Sequence, residues 1–397
     1  MNFSDFKFHP SLLEGLESMG YTKPTPIQEQ TIPIIQENND IIACAQTGTG
    51  KTAAYLLPIL DKLSSNKADT FKINTIILAP TRELALQIDQ QLEGFSYFTN
   101  VSSLPLYGGG DGAGFDQQKK ALTKGADVIV ATPGKLLSHL NLGYVDTSEL
   151  KHLILDEADR MLDMGFYDDI MKIINFLPKK RQTLLFSATM PPKINSLAIK
   201  ILIDPKQVNI AISKPAAGIT QQAYMAFNSQ KIHLIQHLLK ETVFTSIIIF
   251  SGSKALVKEI EITLKKLKLA VKSIHSDLDQ TERENVLRDF KSRRLQVLVA
   301  TDILSRGIDI EAIDLVINYD VPGSPEDYVH RIGRTARASN KGLAITFINE
   351  KDQQRFYRIE KLIETKIPKL ALPEFLGDGP KYEPEKRVHH FKKPIRK

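Results

Sequence analysis

The chain has one cysteine, Cys44, among 397 residues. A single thiol excludes an intramolecular disulfide and any cysteine-built zinc site. Cys44 ends the apolar run Ile41-Ile42-Ala43-Cys44, the setting of a small buried hydrophobe rather than of a reactive thiol. Nine histidines are scattered without metal-ligand spacing, and His389-His390 belongs to a basic terminal stretch. Long hydrophobic runs are missing as well. No stretch approaches the ~18 apolar residues of a membrane span, and the opening MNFSDFKFHP has no signal-peptide core. Internal repeats with a period of about 20–50 residues are absent. These absences point to a reducing, cytoplasmic protein that crosses no membrane.

Hydrophobic residues make up 42% of the chain and charged residues 25%, the balance of a globular protein long enough for two domains. Lysine and arginine number 52 against 46 acidic residues, a formal charge of +6 that permits an anionic partner without demanding one. Short apolar runs alternate with segments of helical pattern. The first series is Asp40–Ala43, Thr75–Leu78, Val128–Val130, Leu153–Leu155 and Thr183–Phe186. The second is Ile247–Phe250, Val297–Val299, Leu315–Ile317 and Ala344–Phe347. Continuous rather than alternating apolarity marks strands buried on both faces, so the sequence predicts an α/β fold in which a doubly wound parallel sheet occurs twice. A breaker-rich stretch around Ser213–Gly218 separates the series. The expected organisation is a first domain over 1–212, a linker over 213–219, a second domain over 220–372 and a basic flexible tail over 373–397.

Polar, glycine-rich or charged clusters follow nearly every strand, the edge at which open parallel sheets bind ligands. Two such edges suggest one site in a cleft between the domains. Ala45-Gln46-Thr47-Gly48-Thr49-Gly50-Lys51-Thr52 follows a strand and opens a helix, as a phosphate-binding loop must. Gly48 and Gly50 let backbone N–H groups wrap the phosphates of a bound ligand at the positive end of the helix. Lys51 would reach the β- and γ-phosphates, and the Thr52 hydroxyl would ligate Mg²⁺. Ala45 stands where the general pattern has glycine. Asp156-Glu157-Ala158-Asp159 follows the strand His152–Leu155. An acidic tetrad alone is a solvated helix start. Beside a phosphate loop, Asp156 is placed to hold the Mg²⁺ shell and Glu157 to orient or deprotonate the attacking water.

Together these residues resemble the DEAD-box RNA helicase family of helicase superfamily 2, over roughly residues 1–370. The resemblance implies two tandem RecA-like domains and an RNA-dependent ATPase. Gly20–Gln28 is similar to the family's Q motif, which implies that Gln28 reads the adenine edge and that Tyr21 or Phe3 packs near the base. Pro80-Thr81-Arg82-Glu83-Leu84-Ala85, Gly108-Gly109 and Thr132-Pro133-Gly134 resemble RNA-backbone motifs, implying contacts from Thr81, Arg82, Gly109, Thr132 and Gly134. Lys135 follows where the family commonly has arginine, which keeps the charge and loses the bidentate fork. Ser187-Ala188-Thr189 resembles the motif that couples hydrolysis to strand separation, with Ser187 and Thr189 bridging Asp159 to the second domain.

In the second half, Phe250-Ser251-Gly252, Gln280 with Arg283, and Thr301 through Asp309 match in order. By resemblance Arg283 and Thr301 contact RNA phosphates, and Asp309 approaches the ATP ribose. His330-Arg331-Ile332-Gly333-Arg334-Thr335-Ala336-Arg337 resembles the arginine-finger segment, with His330 coupling and Arg334 and Arg337 presented on one helical face to the γ-phosphate. Ala336 replaces the family's usual glycine. The implied cycle is domain closure on ATP and single-stranded RNA of low sequence selectivity, which unwinds duplexes locally or remodels RNA–protein complexes. An ATP-gated RNA clamp with little unwinding is the alternative, and a DNA-translocating motor is disfavoured by the adenine motif and Asp159. The run from Phe3 to Pro10 resembles bacterial RhlE-type members, which implies ribonucleoprotein or ribosome-assembly partners, and the chain is expected to be a monomer. The tail, with Lys386, Arg387, Lys392, Lys393, Arg396 and Lys397, either adds nonspecific RNA affinity or only solubilises.

Overall fold

Strands covered on both faces must be apolar throughout, and all nine apolar runs lie in strands of this kind. A computed structural model describes residues 1–45, 48–65, 72–108, 112–210, 218–240, 243–275, 277–301, 313–335 and 342–385. The chain forms two compact units, Met1–Ser213 and Lys214–Lys397. In the first, β1 (Ile41–Cys44), β2 (Thr75–Leu78), β3 (Ser103–Leu106), β4 (Val128–Ala131), β5 (His152–Leu155), β6 (Gln182–Ser187) and β7 (Lys206–Asn209) form a wholly parallel sheet. Their order is β3-β4-β2-β5-β6-β1-β7. The consequence for function lies in the middle of that order. The strand before the phosphate loop, β1, and the strand before the acids, β5, flank β6, which ends in Ser187.

The second unit repeats the plan with β8 (Ile219–Met225), β9 (Ile247–Phe250), β10 (Val271–Ile274), β11 (Val297–Ala300), β12 (Leu315–Asn318), β13 (Gly342–Ile348) and β14 (Lys369–Leu370). Their order is β10-β11-β9-β12-β13-β8-β14, again all parallel. Helices cover both faces of each sheet, and side chains alternating along the strands feed an apolar cluster on either side. Among the described residues no helix is long and apolar enough to cross a membrane.

Residues 373–385, expected to be flexible, are packed onto the second unit. The Gln230 amide donates to the carbonyls of Leu376 and Asp378, and the Glu383 N–H donates to Gln353 Oε1. The Tyr382 hydroxyl donates to the buried Glu360 carboxylate at 2.7 Å, and the Lys369 ammonium lies over the Tyr382 ring. Proline and glycine in this stretch shape a docked strap, and composition alone does not distinguish that from a loose tail. The basic residues from Lys386 onward lie outside the described residues, as does most of the stretch read as linker.

The start of β5 also sets a pH dependence. His152 is buried, with Nδ1 3.0 Å from Gln182 Oε1, while the Gln182 amide nitrogen donates to the carbonyls of Ile35 and Asn39. Burial depresses the imidazole's pKa to about 3. The folded state therefore holds His152 neutral while the unfolded chain takes up a proton near 6.5, so stability is complete above that value and lost as pH falls. Between pH 7.5 and 5.5 the loss from this group is about 1.4 kcal/mol. His152→Asn keeps a donor toward Gln182 and does not titrate, so urea unfolding at the two pH values should show a smaller drop in the variant. An identical drop in both proteins counts against the assignment.

Candidate active site

The phosphate loop is shaped by its glycines. Gly48 and Gly50 adopt φ of 82° and 90°, a left-handed backbone that side chains resist. At Gly50 the chain also approaches closely, since a Cβ there would fall 2.5 Å from Gln28 Nε2. That nitrogen donates to the Gly50 carbonyl at 3.1 Å, while Gln28 Oε1 accepts from the Thr25 N–H at 2.9 Å. Both ends of the Gln28 amide are thus bonded to the chain, and the Q-motif segment is tied directly to the loop. Tyr21 packs edge-on against Phe95 with ring centroids 5.1 Å apart, and Phe3 sits in the same aromatic cluster. Gln46 and Thr47 lie outside the described residues.

The helix Lys51–Ser65 begins where the loop ends. Lys51 is only 5% exposed, and among the described residues its ammonium nitrogen has no hydrogen-bond partner. Burying such a group unpaired is expensive, which marks a place prepared for an anion. Thr52 follows in the first turn. The donor set suits a nucleotide with a divalent cation: a buried ammonium at a helix N-terminus for phosphate, and carboxylate and hydroxyl oxygens for Mg²⁺.

Asp156 comes directly off β5, its N–H bonded to the Leu78 carbonyl at 2.9 Å. Its Oδ1 accepts from the Glu157 N–H and its Oδ2 from the Tyr55 hydroxyl, each at 2.9 Å. Burial raises the Asp156 carboxyl above the usual range, and the Lys51 charge opposes that rise. Glu157, 4% exposed, stands at φ 48°, ψ 51°, and the short helix Ala158–Asp163 starts after it. A glutamate in the left-handed region stores strain, of the kind that clusters at functional sites. Asp159 Oδ2 accepts from both the N–H and the hydroxyl of Thr189, at 3.0 and 2.9 Å. The Ser187 hydroxyl donates to the Thr189 carbonyl at 2.7 Å and accepts from the Asp159 N–H at 3.3 Å. The two hydroxyls read as bridges to the second domain are therefore engaged within the first unit. Tyr55 was absent from the candidates. The signal that finds it is its spacing, three residues beyond Thr52 on one helix face.

On the other side of β5 from β6, β2 and β4 pair directly and deliver two helix N-termini side by side. Thr81 caps the helix Arg82–Ser96, its hydroxyl accepting from the Leu84 N–H at 3.3 Å. Thr132 stands at the same position before the helix Pro133–Leu140, with Gly134 in its first turn. The Arg82 guanidinium lies 5.0 Å from the centre of the Tyr107 ring. Lys135 is held differently from a phosphate-gripping arginine. Its ammonium sits 4.4 Å over the Phe115 ring, which stacks on His139, and burial lowers its pKa. Gly109 lies outside the described residues.

In the second unit, β9 and β11 place Ser251 beside Thr301. Asp320 gathers the loop after β9: its Oδ2 accepts from the Ser251 hydroxyl and the Gly252 N–H, and its Oδ1 from the Lys231 ammonium. The Thr301 hydroxyl is buried and has no hydrogen-bond partner among the described residues. Arg283 lies in the first turn of the helix Gln280–Lys291. The helix Pro325–Ile332 carries His330, but it ends before Arg334, with Gly333 as its C-cap and Thr335 bridging to Ile313. Arg334 thus leaves the helical face on which it was expected. The physical reason is the capping turn at Gly333, a residue whose added Cβ would crowd the Val329 carbonyl. Arg337 and Asp309 lie outside the described residues.

Two parallel-sheet units, the first carrying a phosphate loop beside buried acids, define a nucleoside triphosphatase of the tandem RecA-like kind. The family model described as DEAD/DEAH box helicase matches residues 25–197, and that described as helicase conserved C-terminal domain matches 230–339. The chain is 40% identical to the DEAD-box ATP-dependent RNA helicase CshA of Bacillus cereus over 372 residues, which cover 94% of this chain and 70% of the relative. Identity to the Bacillus subtilis protein of the same name is 39%, over 94% of this chain and 74% of that one. The structure of S. cerevisiae Dbp5 bound to RNA and ADP BeF3 matches with a TM-score of 0.82 and 32% identity, covering 93% of this chain and 95% of that chain. The chain belongs to the DEAD-box ATP-dependent RNA helicases.

Proposed function

We propose that the first unit hydrolyses ATP at the loop Gly48–Thr52 and the acids Asp156 and Glu157, and that the reaction drives local separation of RNA duplexes. The observation that carries this reading is the buried Lys51 ammonium at a helix N-terminus, without a hydrogen-bond partner among the described residues, whose charge acts on the fixed carboxylate of Asp156. Lys51 neutralises phosphate charge, Glu157 orients the attacking water, and Thr52 with Asp156 holds the cation shell. When bound, Mg²⁺ supplies positive charge to the phosphate oxygens. Gln28, already bonded to Gly50, makes adenine recognition sensible to the phosphate loop. Arg334 and Arg337 are assigned to charge that develops on the γ-phosphate, Asp309 to the ribose, and Asp159, Ser187, Thr189 and His330 to coupling.

For RNA, the paired helix N-termini behind Thr81 and Thr132, with Arg82 and Gly134, grip phosphates, and Arg283 and Thr301 do so in the second unit. Contacts to the backbone leave sequence selectivity low, and the 2′-OH favours RNA over DNA. The name CshA carried by the two bacterial relatives does not add support to the RhlE-type likeness, which rests on the Phe3–Pro10 run. Ribonucleoprotein or ribosome-assembly partners accompany that finer reading.

One assay tests the proposal: ATP turnover and strand separation on a short RNA duplex, the matching DNA duplex, and with GTP in place of ATP. RNA and ATP together should be required for both activities. Equal stimulation by DNA would remove the RNA assignment, and equal use of GTP would remove the adenine role of Gln28. ATP-analogue-locked RNA complexes that persist without strand separation would replace unwinding with an RNA clamp.

A further inference from the structure

One side chain that belongs to none of the sequence motifs is bonded to Asp156, a group assigned to the cation. Tyr55 is fully buried on the helix Lys51–Ser65, and its ring packs on Phe186 of β6 with centroids 5.1 Å apart. From there it spans the strand that separates β1 from β5. Its hydroxyl donates to Asp156 Oδ2 at 2.9 Å, and Thr52 lies one turn earlier on the same helix. The opposite carboxylate oxygen, Oδ1, is held by the Glu157 N–H. The ring accounts for the packing, and phenylalanine would pack as well. The oxygen serves the bond to Asp156, and burying a hydroxyl is unfavourable unless its bond is needed.

We propose that Tyr55 is a positioning residue that fixes the Asp156 carboxylate in the orientation that receives a magnesium–nucleotide complex. The inference rests on the reading of Thr52 and Asp156 as the protein's contribution to the cation shell. A carboxylate that must rotate into place loses freedom when the cation arrives. Held at both oxygens beforehand, it does not, and each oxygen keeps a lone pair for the cation or its water. The partner next to a metal ligand typically governs affinity for the ion rather than the fold.

Tyr55→Phe removes the oxygen and keeps the ring. The measurement is binding of fluorescent ADP to the full chain, titrated with Mg²⁺ and repeated in EDTA. The Mg²⁺ concentration for half-maximal binding should rise about tenfold, whereas affinity in EDTA and the thermal midpoint stay close to wild type. A thermal midpoint and an EDTA affinity that fall together, with the Mg²⁺ midpoint unmoved, would make Tyr55 a packing residue and overturn the proposal. Asp156→Asn is measured alongside. If it shifts the Mg²⁺ midpoint while Tyr55→Phe does not, the role of Tyr55 alone fails. If neither variant shifts it, the assignment of Asp156 to the cation fails and the inference falls with it.

Discussion

Glu157→Gln lowers RNA-stimulated ATP turnover about 10³-fold while ATP binding stays within about threefold of wild type, the loss expected when a positioned base is removed from phosphoryl transfer. That corresponds to about 4 kcal/mol on the barrier. The substitution removes a charge and little volume. Glutamine can occupy the same left-handed position before the helix Ala158–Asp163, and the Glu157 N–H that fixes Asp156 Oδ1 is untouched. Binding should not weaken, because one negative charge leaves a buried neighbourhood shared with Asp156 and the incoming phosphates. Stopped-flow nucleotide binding and steady-state phosphate release separate the two quantities. A variant that turns over at half the wild-type rate would end the assignment of Glu157.

Much of the site was legible because its motifs sit on central strands. Runs such as Thr75–Leu78 and Ile247–Phe250 are covered on both faces and read as continuous apolar segments. The strands that went unread lie at or near the sheet edges. β7 buries only Val208, and β3 carries Pro105, which an edge strand tolerates. β8 is rich in glutamine, and β14 has two residues. Within the site, spacing announces which residues meet but not how they are held. The left-handed Glu157, the Lys135 ammonium seated on Phe115 and the Tyr55 bond to Asp156 all depend on tertiary neighbours. The same limit misplaced Arg334. Three-residue spacing implies one helical face only while the helix continues, and this one stops at Ile332.

Arg331 makes the contrast testable. It lies in the arginine-rich run, yet it is 1% exposed and faces inward. Its Nη1 donates to Asn318 Oδ1 at 2.9 Å and to the Asp320 carbonyl at 3.2 Å, and its guanidinium lies 5.0 Å from the centre of the Phe250 ring. It therefore ties the ends of β9 and β12 to the helix that carries His330. Arg331→Leu retains apolar bulk, leaves Asn318 and the Asp320 carbonyl short of a buried donor, and opens space beside Phe250. Lost charge-assisted bonds and imperfect repacking together cost on the order of 3–5 kcal/mol. The loss should be local in amide hydrogen exchange. Protection falls across Ile247–Phe250 and Leu315–Asn318, whereas Ile41–Cys44 and His152–Leu155 in the first unit exchange as in wild type. Turnover would fall as a consequence, because Asp320 also holds Ser251 and Gly252 in place. Wild-type protection in both second-unit strands combined with lost turnover would instead assign Arg331 directly to the reaction.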